Sequence, residues 1–141
     1  MARKLDAQAI ANITKRMLAV PQEVKKAAEA ELERTANMMA DGMRRDVRAY
    51  AYEDGDLHGS IKVVRVDDEA GQIVYRVQAG GEGTTRREGR RPYDYALAVE
   101  YGTQNSPARP FFWPNYRQNR RKARAALTKV MRKAAKDLAQ K

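Results

Sequence analysis

Side chains that commonly carry out catalysis or bind metals are scarce in this chain. His58 is the only histidine, and there is no cysteine. Zinc sites depend on these two residue types, so the sequence predicts none, and His58 is interpreted as a solvated loop residue. The lack of cysteine also excludes a disulfide framework, so the fold does not depend on an oxidising compartment.

Two other clusters have the composition of a binding motif without its spacing. The acidic residues Glu53, Asp54 and Asp56 lack the ligand order and final glutamate of a calcium-binding loop, and they indicate a polar turn. The glycines between residues 80 and 89 match neither a phosphate-binding loop nor a dinucleotide-binding fingerprint. Since no other constellation of titratable groups stands out, the sequence predicts neither an enzyme nor a cofactor.

Positive charge is the strongest chemical feature, and it is unevenly distributed. The formal net charge is +10, and residues 114–141 alone carry ten lysines and arginines against one acidic residue. A smaller basic cluster lies between residues 86 and 91. Such patches attract polyanions or an acidic protein surface. The residues predicted to contact a partner or DNA are Arg86, Arg87, Arg90, Arg91, Arg120, Arg121, Lys122 and Arg124.

Three aromatic residues, Phe111, Phe112 and Trp113, lie between two prolines. Aromatic rings can stack on nucleic-acid bases, but the flanking prolines favour a structural interpretation, in which the rings anchor the start of the last helix against the sheet. No DNA-reading or RNA-binding motif accompanies the basic charge, so sequence-specific recognition is not predicted. Non-specific DNA binding through released counterions remains an alternative function.

Helical periodicity marks both ends of the chain. Apolar residues at steps of three and four predict a short helix within residues 1–20, a break at Pro21 and a second helix to about Ala49. From Pro114 onward the same spacing predicts a long amphipathic basic helix. Met38, Met39 and Met43 of the second helix could form a partner-binding surface, but methionines at helical spacing favour an interpretation as core residues.

The middle of the chain has shorter elements. A polar turn around residues 50–59 precedes two β-branched runs, 60–66 and 72–79, which predict an antiparallel hairpin. Residues 80–92 are predicted to be a flexible basic loop. Residues 93–101 are bracketed by proline and glycine, which favours a short helix, although their alternation also suits a strand.

At 141 residues the chain is predicted to form a single domain over residues 1–141. No apolar run approaches the roughly 18 residues of a membrane span, and the first residues do not have the pattern of a signal peptide. We therefore expect a folded protein that is neither secreted through such a peptide nor embedded in a membrane.

Two segments resemble a known family. Residues 55–61 (Gly-Asp-Leu-His-Gly-Ser-Ile) resemble the Gly-x-Leu-x-x-Ser-Ile stretch ahead of the first strand in the siphophage neck and minor-tail family of lambdoid and related phages. Residues 95–103 and 107–114 resemble that family's Tyr-Ala-x-x-Val-Glu-x-Gly-Thr and Pro-Ala-Arg-Pro-Phe-x-x-Pro signature. The order of helices also matches, so the resemblance covers most of the chain from about Pro21 onward.

The resemblance implies a small structural protein, not an enzyme, that joins head to tail or completes the tail, commonly as a ring around the DNA passage. The implied partners are copies of the chain itself, adjacent head-connector and tail-tube proteins and, non-specifically, DNA in the channel. The implied location is the virion, after assembly in the cytoplasm of the host bacterium. The positions carried over as a fold signature are Tyr95, Glu100, Gly102, Thr103, Pro110, Phe111 and Pro114.

Two features depart from the family pattern. Asn115 follows the final proline where a small residue is usual, and the segment 80–91 is longer and more basic than expected. One hypothesis is that this segment becomes ordered on a neighbouring ring or lines the channel. The expected architecture is α+β, with N-terminal helices and a long C-terminal helix packed on a small antiparallel sheet.

Overall fold

The computed structural model describes residues 20–49, 55–67 and 72–141. The predicted first helix therefore lies almost entirely outside the described residues. The architecture is α+β, as predicted, with two long helices and two small antiparallel sheets. Within the described ranges, none of the helices combines the length and the apolar character that a bilayer crossing requires.

Helix α1 spans Gln22–Ala49 and is the central element of the fold, which confirms the predicted second helix. Pro21 stands just before it, and its carbonyl accepts hydrogen bonds from the backbone N–H groups of Val24 and Lys25 at 3.0 and 3.1 Å. Proline suits this position because the first N–H groups of a helix have no partner within it. The buried side of the helix consists of Val24, Thr35, Ala36, Met39, Ala40, Gly42, Met43 and Val47.

Residues 55–60 form a short helix, α2 (Gly55–Ser60), where the sequence predicted a turn. The prediction was wrong here because tertiary burial outweighs the turn propensity of glycine and aspartate. Leu57 and Ile61 lie four residues apart, so a helical turn directs both toward the core, where they are 0% and 1% exposed. His58 consequently lies on a helix, half-buried, and not in a solvated loop.

The predicted hairpin is confirmed. Strands β1 (Lys62–Asp67) and β2 (Ile73–Gln78) pair antiparallel, with Lys62 opposite Gln78 and Asp67 opposite Ile73. One face of the hairpin packs on α1 and contributes Val63 and Val77 to the periphery of the core.

The segment predicted as an unstructured basic loop contains regular structure. It has a single 3-10 turn (Glu82–Thr84) and a two-residue strand β3 (Thr85–Arg86), which pairs with β4 (Tyr93–Asp94). The composition suggested no anchor for this segment, but Thr84 is completely buried. The flexibility predicted for the remainder of residues 80–92 stays a prediction.

The last two helices are α3 (Tyr95–Tyr101) and α4 (Trp113–Ala139). The helical interpretation of residues 93–101 is confirmed from Tyr95 onward, while the two residues before it form β4. The predicted long C-terminal helix is also confirmed. It packs mainly against α1, and α1 also contacts both strands of the hairpin.

The core lies where α1, α2 and α3 meet the segment before α4. Phe111 is buried there at 1% exposure, whereas Trp113 is 42% exposed, so only part of the aromatic triplet acts as an anchor. Met38 is 36% exposed, which corrects its assignment to the core. The buried cluster consists of Met39, Ala40, Met43, Val47, Leu57, Ile61, Ala96, Val99 and Phe111.

Helices α1 and α4 approach each other closely at Gly42 and Asn115. Asn115 is buried, its Nδ2 lies 3.4 Å from Asp46 Oδ2, and its Oδ1 accepts a hydrogen bond from Asn119 Nδ2 at 3.1 Å. A Cβ built on Gly42 would lie 2.5 Å from Asn115 Nδ2. The missing side chain at residue 42 therefore makes room for the residue that departs from the family pattern.

We expect the substitution Gly42→Ala to destabilise the fold by about 1–3 kcal/mol, because the added methyl group overpacks the contact with Asn115. At an exposed helical position the same change is stabilising by about 1 kcal/mol, so the sign of the effect reports the contact. Urea unfolding followed by circular dichroism measures it. Adding Asn115→Ala should recover part of the loss. A Gly42→Ala variant more stable than the wild type by the full helix-propensity gain of about 1 kcal/mol would contradict the close contact with Asn115.

Candidate functional site

Glu100 connects α3 to the start of α4. Its carboxylate is buried, and Oε2 accepts hydrogen bonds from the backbone N–H groups of Phe111 and Phe112 at 2.8 and 2.9 Å. Oε1 accepts a third, from Trp113, at 3.1 Å. The first N–H groups of a helix lack partners within it, and a negative charge there also interacts favourably with the helix dipole. Because the cap residue Phe112 supplies no side-chain bond, Glu100 caps α4 from another helix.

The chain reverses direction between Glu100 and the helix that it caps. Gly102 has a φ of 75°, and a Cβ there would lie 2.7 Å from the backbone nitrogen of Ala108. Thr103 and Ser106 form an antiparallel bridge, in which the Thr103 N–H donates to the Ser106 carbonyl at 2.8 Å. Only glycine combines this backbone conformation with so close an approach of the returning chain.

The other predicted signature residues surround this connection. Phe111 lies in the core, and Pro114 lies in the first turn of α4. Tyr95 begins α3 and packs against the core cluster, while Pro110 is exposed. The predicted signature residues thus lie on α3, at the start of α4 or in the segment that connects these two helices.

A second polar connection, which sequence reasoning missed, is centred on Asp94. Oδ1 of Asp94 accepts hydrogen bonds from the Ala96 N–H at 2.9 Å and from Thr84 Oγ1 at 2.6 Å. Oδ2 accepts one from the Gly81 N–H at 2.9 Å. Asp94 is therefore the N-cap of α3 and also holds the 3-10 turn. The sequence could have predicted the capping role of Asp94, since aspartate directly before a helix is a preferred N-cap residue.

These contacts affect the acidity of Asp94. Burial alone raises the pKa of the Asp94 carboxyl, but the hydrogen bonds from Thr84, Gly81 and Ala96 together outweigh burial and hold the pKa below its ordinary value. The carboxylate is thus stabilised in its charged form in the folded protein.

Ser60 joins this region to α2. Its hydroxyl donates to the Leu57 carbonyl at 2.7 Å and accepts from the Gly80 N–H at 3.0 Å. Leu57, Ser60 and Ile61 are the leucine, serine and isoleucine of the Gly-x-Leu-x-x-Ser-Ile stretch. Their positions in the structure agree with a structural role, with two side chains in the core and one bridging two segments.

The predicted contact arginines of the 86–91 cluster differ in their surroundings. Arg86 is a structural residue, because its guanidinium donates to the Gly83 carbonyl at 3.2 Å, lies 3.4 Å from Asp56 Oδ2 and sits 4.5 Å from the ring centre of Tyr95. Charge alone suggested a partner contact for it. Arg87 pairs with Glu82 at 2.6 Å on the surface. Arg90 and Arg91 are exposed.

The predicted contact residues of α4 are all exposed, but they differ in direction. Arg120, Arg121 and Arg124 line a cleft between α1, β2 and α4, whereas Lys122 does not. The cleft has a volume of about 1500 Å³. Its floor is mostly apolar and includes Met39 and Val77.

Titratable chemistry is limited in the described part of the chain. Burial, followed by the charges of Arg48 and Arg44, lowers the pKa of His58 and favours its neutral form. No group of three or more side chains suited to holding a metal ion occurs among the described residues. The site with the most developed geometry is therefore the structural connection at Glu100, together with the cleft beside α4.

We expect Glu100→Gln to destabilise the fold by about 1–3 kcal/mol, since the amide retains one oxygen acceptor and turns its NH₂ group toward backbone donors. Denaturant unfolding monitored by Trp113 fluorescence and by circular dichroism measures the change. Glu88→Gln, at an exposed position, removes the same charge and should have little effect. Equal stability of both variants would contradict the capping role of Glu100.

The lowered pKa of Asp94 predicts a pH-dependent contribution to stability. A depressed folded-state pKa stabilises the fold above the unfolded-state value, ordinarily 3.8, and this contribution is lost as the pH falls through the folded-state pKa. We expect Asp94→Asn to be less stable than the wild type at neutral pH, by about 1–2 kcal/mol, and the difference to shrink below about pH 4. Unfolding curves at several pH values test this. Asp137→Asn is the matched control, and a difference independent of pH would refute the assignment.

Comparison with known proteins identifies a family. The model of the family described as "Bacteriophage HK97-gp10, putative tail-component" matches residues 11–102. No curated protein and no solved structure matches the chain. The matched range contains α1, the hairpin, Asp94 and Glu100, and it covers well over half of the chain. The phage tail-protein resemblance is thereby confirmed, and the chain belongs to the HK97-gp10-like family of bacteriophage tail components.

Proposed function

We propose that this protein joins the head to the tail, or completes the tail, as one subunit of a ring around the DNA passage. Family membership carries the coarser statement that it is a structural protein of the phage tail and hence of the virion. The joining role and the ring are our inference. They are supported by the exposed apolar surfaces described below, which a subunit would bury in an assembly.

The first such surface is on α3. Leu97 and Tyr101 are 60% and 64% exposed, and they lie four residues apart on the same side of the helix. The Tyr101 hydroxyl accepts a hydrogen bond from Trp113 Nε1 at 2.7 Å, which fixes the orientation of the ring. We call Leu97 and Tyr101 the α3 patch.

The second surface is the outer face of the hairpin. Val66 lies opposite Val74, and Val64 shares their face because alternate residues of a strand point the same way. Val64 and Val74 are 36% and 41% exposed. β-branched side chains exposed on a two-stranded sheet suit burial against a neighbour.

A closed ring requires two different surfaces on each subunit, and the α3 patch and the outer face of the hairpin can supply them. In a head-to-tail contact one surface of each copy meets a different surface of the next, and a suitable rotation closes the ring. The proposed contact places the α3 patch of one subunit on the hairpin face of its neighbour. Joining then depends on this repeated contact and on a separate surface that recognises adjacent particle proteins.

Complementation of a nonsense mutant in this gene tests the proposal. Electron microscopy of the mutant particles should show DNA-filled heads separated from tails, or tails of faulty length. Wild-type protein supplied in trans should restore joined particles, and Leu97→Glu should not, because a buried charge would disrupt the contact between subunits. Gln118→Glu introduces the same charge at an exposed polar position of α4 and should restore them.

Two results would count against the proposal. Normal infectious particles from the nonsense mutant would remove the joining role and bring forward the alternative, a small non-specific DNA-binding protein. Full complementation by Leu97→Glu would leave the role intact but eliminate the α3 patch as the subunit contact. Circular dichroism and thermal unfolding establish that the Leu97→Glu subunit is folded.

A further inference from the structure

We propose that the cleft between α1, β2 and α4 binds an acidic amphipathic segment of an adjacent particle protein. The inference deepens the proposed joining function and rests on it for the origin of the partner. It names a binding surface and the chemistry that the surface recognises.

The shape and floor of the cleft suit a peptide segment. Its α4 wall runs from Tyr116 to Arg132, a distance of about 24 Å at the helical rise of about 1.5 Å per residue. The floor between the walls is apolar and includes side chains of α1 and β2. A long concave surface with an apolar floor fits one side of an amphipathic helix or extended segment. The principal floor residues are Leu32, Ala36, Met39, Met43, Val77 and Phe112.

The α4 wall is strongly cationic. Helix α4 carries nine lysines and arginines and a single acidic residue. Among the described residues, none of these cations forms a salt bridge. Opposite charge on the occupant would supply the missing partners and guide its approach. The cations that line the cleft are Arg120, Arg121, Arg124, Lys129 and Arg132.

The cleft also has a polarity that orients its occupant. On the other side, Tyr75 lines the cleft, and burial, with the charges of Glu33 and Glu29, raises its pKa. The residues of α1 and β2 that line the cleft carry no charged side chain, so its charge is confined to the α4 wall. Carboxylates of the occupant should therefore face α4 while its apolar residues cover the floor.

A second copy of the chain is a poor source of such a segment. Most carboxylates in the described residues already have partners, and Asp94 and Glu100 are used internally. Residues 1–19 carry four lysines or arginines and only one aspartate, so their charge does not complement the wall. A different, acidic protein fits better. The carboxylates engaged in salt bridges are Glu29, Glu31, Asp41, Asp56, Asp67 and Glu82.

Nucleic acid fits the cleft less well than protein. A duplex presents phosphates but no apolar surface to cover the floor. The aromatic rings at the end of the cleft are also engaged with one another, since Phe112, Trp113 and Tyr116 pack edge to face at 5.2 and 5.9 Å. They do not form a parallel platform for base stacking.

The single tryptophan, Trp113, lines the cleft and serves as a reporter. The probe is a synthetic amphipathic helix of about 16 residues, leucine on one face and glutamate on the other, added to the full chain. We expect a saturable change in Trp113 fluorescence. A peptide with lysine in place of glutamate should give none, and a short DNA duplex should bind more weakly than the acidic peptide.

Two charge reversals on the same helix locate the binding surface. Arg124→Glu, in the cleft wall, should weaken binding of the acidic peptide by about tenfold or more. Lys122→Glu makes the same change in net charge outside the cleft and should weaken it by less than about threefold. Circular dichroism verifies that both variants retain their helices.

Other outcomes overturn the inference. No response to the acidic peptide, or equal weakening by both reversals, would show that the cleft is not its site. Tighter binding of the duplex, with the same sensitivity to Arg124→Glu, would make the cleft a nucleic-acid site. The nonsense-mutant phenotype is measured separately, so defective joining without peptide binding would reject this cleft and leave the joining role standing.

Discussion

The structure depends on one buried carboxylate at the start of its long C-terminal helix. Helix α4 begins without a side-chain cap of its own, and Glu100 supplies that cap from α3 through three backbone hydrogen bonds. The same contact fixes Phe111 in the core and sets the point from which α4 runs along α1. Because the cleft is the space left between α4, α1 and β2, its shape follows from this capping interaction. A buried carboxylate is costly unless its oxygens are hydrogen-bonded, so the arrangement allows few alternatives.

Asp94 plays a comparable part at the other end of α3. It caps that helix, holds the 3-10 turn through Thr84, and lies beside Gly80, which Ser60 ties to α2. The helix α3 is only seven residues long and would not be stable alone, since isolated helices of this length are marginal in water. A carboxylate near each end of α3 therefore caps a helix. Asp94 caps α3 itself, and Glu100, near the other end of α3, caps α4. Side-chain hydrogen bonds add specificity to a domain whose apolar core is small.

Sequence periodicity predicted the elements whose burial is regular along the chain. α1, the hairpin and α4 were found this way, because each buries one continuous side. α2 was missed, since its helical form depends on Leu57 reaching a core assembled from distant elements. The internal contacts of Arg86 were also not predicted, because composition cannot reveal that Asp56 and Tyr95 lie beside it, and its contact with a partner stays a prediction. Glu100 was identified only through resemblance to a family. Its three donors lie 11 to 13 residues away across a reversal of the chain, beyond the reach of any local rule.

The positive charge of α4, which has no salt-bridge partner among the described residues, would couple the stability of the helix to the proposed binding. Cations three or four residues apart repel one another along the helix, as between Arg117, Arg120 and Arg124, and each such pair costs roughly 0.2–0.5 kcal/mol. Packing on α1 and the Glu100 cap offset that repulsion in the free subunit. An acidic segment in the cleft would remove part of it, so the helix would gain stability at the moment its partner binds. By reciprocity, a change that unfolds the start of α4 in the free subunit would weaken the partner's apparent affinity in proportion to the loss of the folded fraction. In the proposed complex, the capping carboxylate would position the cationic wall and the wall would bind the partner.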